Sequence, residues 1–130
     1  MKTSLTLTIL GAYNTLMGVI MLFAPDKMAM QMVGEARAAE TPELFEMATM
    51  FHYGLSPALL MVGLTLLMIR SCPLQTAKNA LIAYIIGTGV LLALFFTVFT
   101  NASVMDFSAE MAAPDILAFA LAIFGLIKAK

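Results

Sequence analysis

The chain's single histidine, His52, lies inside a run apolar enough to cross a bilayer, and few other side chains in the chain could do chemistry. With it on one half of the sequence pattern stand Tyr53, Glu46 and Asp115, with Asn14 and Thr97 set deeper. An ionisable or strongly polar group inside a span costs free energy, so it is read first as a proton relay, a ligand contact or a cofactor ligand. The plainer reading of His52 is a neutral imidazole hydrogen-bonded to a neighbouring helix. One histidine excludes bis-histidine haem within this chain and leaves a single axial contact to a haem or chlorophyll-type pigment. His52, Tyr53, Asn14 and Asp115 are therefore the candidate contacts for a small hydrophobic ligand such as a quinone, lipid or pigment.

Methionine offers a second chemistry. Among 12 methionines, Met28, Met30 and Met32 form an MxMxM segment, and thioethers select Cu(I). On a helix Met28 and Met32 share a face and Met30 does not, so a three-sulfur site needs an irregular loop. Methionine also serves as flexible apolar filler in a segment lying in lipid. Nucleophilic catalysis finds no pattern: there is no GxSxG, HExxH or phosphate-binding glycine loop, and Ser56, four residues after His52, lacks a third member. This leans against an enzyme and leaves any cofactor unidentified. Cys72 stands alone, without an internal disulfide partner or a CxxC motif.

The elements that must position these residues follow from composition. The 130 residues are 62% hydrophobic and 12% charged, with net charge −1 and no basic run, which argues for an integral-membrane protein and against a nucleic-acid partner. The expected fold is all-α, an integral-membrane four-helix bundle forming one transmembrane domain over residues 1–130. Its spans fall at about 5–24, 44–69, 74–99 and 111–127. The opening segment has the pattern of a secretory signal, but Ala36-Arg37-Ala38 lies too far from the apolar run to be its cleavage site, so it is read as a retained first helix.

Pro25-Asp26 ends span one, and a short interfacial helix from Asp26 to Val33 is broken by Gly34. Thr41 is the expected N-cap of span two, with Pro42 at its first helical position. Pro57 removes a backbone donor and predicts a kink near His52. The Arg70-Ser71-Cys72-Pro73 turn makes spans two and three antiparallel neighbours. Pro114-Asp115 opens span four, which is short unless it enters as early as Ala109.

Each span carries small residues at helical spacing: Gly11, Asn14 and Gly18; Thr49, His52, Ser56 and Gly63; Ala83 and Gly87; Ala118, Ala122, Gly125 and Ala129. That is more close-packing surface than the chain needs for itself. It predicts a non-enzymatic accessory or assembly subunit packed against other membrane-protein subunits. The charges predict orientation: Lys2, Arg70, Lys78, Lys128 and Lys130 flank one side without an acid. Lys27 and Arg37 stand on the other with Asp26, Glu35, Glu40, Glu43, Glu46, Asp106, Glu110 and Asp115. The positive-inside rule puts both termini in the cytoplasm and the chain in the cell membrane.

The Leu22-Phe23-Ala24-Pro25-Asp26-Lys27-Met28 turn after span one, followed by three further spans, resembles the DoxX-like group of small four-helix bacterial membrane proteins. Members of such groups are often accessory subunits, so the resemblance implies no activity and carries no functional residue to this chain.

Overall fold

The computed structural model describes residues 3–106 and 108–129. Lys2 and Lys130, two of the charges used for orientation, lie outside the described residues. Within them the protein is all-helical, without a strand. Four helices are long and apolar enough to cross a membrane: α1 (Thr3–Phe23), α4 (Pro42–Met68), α5 (Leu74–Thr97) and α6 (Ala109–Ile127). Two short helices, α2 (Pro25–Val33) and α3 (Glu35–Glu40), join α1 to α4.

The breaks are placed by residues that cannot continue a helix. Pro25 starts α2, and Gly34 ends it at φ 82°, where its N–H still donates to the Met30 carbonyl at 2.9 Å. A left-handed backbone at that point suits glycine. A Cβ there would also meet the Asp106 side chain, because the loop before α6 comes back to α2. There the Asp106 N–H donates to the Met32 carbonyl at 2.9 Å and its carboxylate stands 3.7 Å from Arg37.

Two expectations change, and at α6 the earlier of the two possible starts is the one observed. Residues 35–40, read as part of a polar connector, form α3. Thr41 precedes α4 as expected, but its side chain makes no capping bond, and Pro42 alone sets the start. Helix α6 begins at Ala109, five residues before Pro114, so its 19 residues rise roughly 28 Å and the short span becomes a full one. Pro114 is tolerated near the helix start, where the only backbone bond it removes is one to the first turn. Pro57 lies within an unbroken α4.

Helix α1 touches each of the other three long helices. Of its most apolar stretch 39% of residues are buried, against 6% for α5. Its main partner is α4, and the pair run antiparallel with backbones close together. At Gly11 a Cβ would come within 2.9 Å of the Gly63 carbonyl oxygen, and at Gly18 within 2.9 Å of the Leu60 backbone nitrogen. Glycines at these positions let the two backbones touch, and where lipid tails are as apolar as leucine, such dispersion contacts drive helix association. On the other side of α1, Thr6 lies against Gly125 of α6. Leu7 and Leu10 of α1 form a core with Leu66, Leu81, Ala118 and Ala122, drawing on all four long helices. A smaller cluster of Ala29, Val33 and Ala48 seats α2 on α4.

Candidate functional site

Tyr13 is the central residue of α1. Its hydroxyl donates to Asp115 Oδ1 of α6 at 2.9 Å. Next to it, the Asn14 amide donates to the Leu10 carbonyl of its own helix and to the Tyr84 hydroxyl of α5, each at 2.9 Å. Both amide hydrogens are thus used, and Asn14 is buried at 6% exposure. Tyr84 is within electrostatic reach of Tyr13 and Asp115, and Thr88, one turn along α5 and buried, is close enough to interact with its hydroxyl. The result is a polar cluster at mid-span that ties α1, α5 and α6 together. Asp115 Oδ2 has no hydrogen-bond donor among the described residues.

Helix geometry explains why the cluster forms. Tyr13 and Asn14 are adjacent and point about 100° apart, so one helix addresses two partners at the same level. An aromatic ring buries apolar area while its hydroxyl must find a bond, which an apolar interior supplies only through another polar side chain. Beside the cluster, a cleft of about 240 Å³ opens between α1 and α6, lined by Ile9, Leu10, Tyr13, Pro114, Leu117 and Leu121. Tyr13 therefore belongs both to the polar cluster and to an apolar cleft.

The four expected ligand contacts separate. Asn14 and Asp115 join the cluster, each through a tyrosine. His52 is buried at 7% exposure, but its Nδ1 lies 2.8 Å from the Ala48 carbonyl of its own helix. A carbonyl can only accept, so Nδ1 is the donor in this contact. Gly11 lies against Leu67 and Gly18 against Leu60, which sets Asn14 level with Leu64, twelve residues and roughly 18 Å of helix rise from His52. Tyr53 points outward at 52% exposure and meets neither group. Glu46 is exposed, and Thr97, expected deeper, is the last residue of α5, donating to the Ala93 carbonyl at 2.7 Å. Ser56 is fully buried, and its hydroxyl crosses to the Gly18 carbonyl at 2.9 Å, so it belongs to the α1–α4 seam.

Met28, Met30 and Met32 all lie on the regular helix α2. Met28 and Met32 share a face, Met30 does not, and Met32 packs against the Ala29–Val33–Ala48 cluster. Among the described residues no group of three His, Cys, Asp or Glu is placed to hold a metal ion.

Tyr13 and Tyr84 were not among the site residues expected from the sequence. A signal was present: tyrosines in membrane proteins gather at the two interfaces, and two of the three here stand mid-span. No protein-family model, curated protein or solved structure matches the chain.

Proposed function

We propose that this membrane protein binds a lipophilic molecule carrying a hydroxyl head group, of quinol type, where the Tyr13–Asp115 pair meets the cleft between α1 and α6. The observation that carries this reading is the position of Tyr13, hydrogen-bonded to a mid-span carboxyl on one side and lining an apolar cleft on the other. A carboxyl within a span is costly unless it has work to do, and Asp115 Oδ2 is free to accept a hydrogen bond from the head group. Leu10, Leu117 and Leu121 would flank the first carbons of the chain, and the rest of the tail would lie in lipid. Asn14 and Tyr84 hold Tyr13 in place from the α5 side.

The test is extraction and identification of lipophilic molecules that co-purify with wild type, Tyr13→Phe, Asp115→Asn and His52→Leu. Retention falls in the first two variants and stays at the wild-type level in the third. Equal content in all four proteins overturns the reading.

A second reading, an accessory subunit of a larger membrane complex of four-helix DoxX-like type, is favoured by α5. Ala83 and Gly87 are exposed there, and a Cβ on Gly87 would meet nothing within 4 Å. Purification in mild detergent with wild type and Gly87→Leu tests it, and a partner-free monomer in both cases removes it. For either reading we propose a four-helix bundle in the cell membrane with both termini cytoplasmic. Arg70, Lys78 and Lys128 stand at one end of the long helices and the acidic connectors at the other, in support of that orientation. In intact cells an impermeant maleimide should miss Cys72 and label Glu40→Cys in a Cys72→Ser background, and the reverse pattern inverts the orientation.

A further inference from the structure

We propose that the basic end of the protein holds the phosphate head group of an anionic phospholipid in the cleft between the start of α1 and the turn joining α4 to α5. This cleft, about 530 Å³, is lined by Thr3, Ser4, Arg70, Ser71, Cys72 and Leu74. It is remote from the Tyr13–Asp115 site and rests only on the membrane reading of the four helices.

The chemistry of the lining fits a phosphate monoanion above an acyl chain. Arg70 brings a guanidinium fork matched to phosphate oxygens, and Ser4 and Ser71 bring hydroxyl donors. Among the described residues the ion pair present is Arg37–Asp106 at the far end, and no carboxylate stands within ion-pair distance of Arg70. The described acids all lie at mid-span or at the opposite end, so among the described residues no acidic side chain offsets Arg70 at this end. Lys78 adds a second charge one turn beyond Leu74, outside the lining. Leu74 and Ala77 give the cleft an apolar floor. A positive, hydroxyl-bearing mouth over an apolar floor at the end of a span is the arrangement in which a lipid head group and its first methylenes fit together.

Cys72, the one thiol in the chain, lines the same cleft and reports its occupancy. The rate at which Cys72 reacts with neutral N-ethylmaleimide is measured in vesicles of phosphatidylcholine with and without phosphatidylglycerol. Phosphatidylglycerol should slow the wild type about fivefold, the scale of one basic residue at an anionic surface. Arg70→Gln should lose the protection, Arg70→Lys should keep part of it, and Lys78→Gln should keep all of it.

Equal loss in Lys78→Gln and Arg70→Gln would mean diffuse surface attraction and overturn the site. Inorganic phosphate giving the same protection in phosphatidylcholine alone would make it a free-anion site and overturn the lipid assignment. As a second measurement, native mass spectrometry counts phosphatidylglycerol retained by wild type and Arg70→Gln, and equal retention counts against the proposal whatever the thiol does. Asp115→Asn should leave both readouts unchanged, so failure here and failure of the Tyr13–Asp115 site are told apart.

Discussion

The two sides of α1 are built on different principles. Toward α4, Gly11 and Gly18 meet Leu67 and Leu60 across a seam in which backbones touch, with the Ser56 hydroxyl crossing once to the Gly18 carbonyl. Toward α5 and α6 there is a close approach at one end, Thr6 against Gly125, and at mid-span long side chains bridge the helices, Asn14 to Tyr84 and Tyr13 to Asp115. The first side has no room for change, and the Thr15 hydroxyl, which has no hydrogen-bond partner, is shut in against Gly63. The second leaves a cleft and an open carboxyl oxygen. Close backbone packing secures a pair of helices, and a looser junction bridged by hydrogen bonds leaves space for a guest.

The largest effect should come from breaking the seam. A Cβ on Gly63 would lie 2.8 Å from the Gly11 carbonyl and overlap Thr15, so Gly63→Leu should cost at least about 2 kcal/mol by thermal unfolding in detergent, the range of overpacking. Wild-type stability would mean that the seam yields.

On the polar side, Asp115→Leu leaves the Tyr13 hydroxyl without its acceptor and should cost about 1–3 kcal/mol. Tyr13→Phe in the Asp115→Leu background should then cost little more. Full additivity by the same unfolding measurement would show that the pair does not act as a unit.

Asn14→Leu should be milder, about 0.6 kcal/mol and at most about 1.7, as for hydrogen bonds between membrane helices. A double-mutant cycle with Tyr84→Phe isolates that bond, and zero coupling would remove it.

The smallest expected loss is at His52, whose one hydrogen bond stays within α4. His52→Leu should change stability by about 0.5 kcal/mol or less, and a larger loss would reveal a partner beyond Ala48.

Much of the fold was legible in the sequence because burial in lipid demands long apolar runs and punctuates them with the same few residues. Pro25, Gly34, Pro42 and Pro73 all stand at helix boundaries, as their chemistry requires. The buried faces of α1, α4 and α6 were readable too, since Gly11, Gly18, Ser56, Gly63, Ala118 and Ala122 recur at helical spacing. On α5 the same rule left the partner open: Ala83 and Gly87 are exposed, because spacing marks a face that permits close approach and does not say which helix takes it.

The candidate site was half legible. Asn14 and Asp115 were singled out as costly polar groups within spans, and both take part in the cluster. His52 was singled out for the same reason and satisfies itself within its own helix, which spacing along one chain cannot distinguish from a bond made across helices. Tyr13 was passed over because an aromatic ring counts as apolar in any periodicity.

By itself the sequence determined an all-helical chain with four helices long and apolar enough to cross a membrane, their approximate boundaries, and the grouping of Arg70, Lys78 and Lys128 away from the acids. Each of these depends on local backbone chemistry and on hydropathy summed over some twenty residues. Only the tertiary structure decided that Tyr13 meets Asp115, that Asn14 meets Tyr84, and that His52 stands a dozen residues of helix away from them. Those pairings are set by the register of α1 against α4, α5 and α6. Register depends on where glycine lets backbones approach, a property of two helices together that neither carries alone.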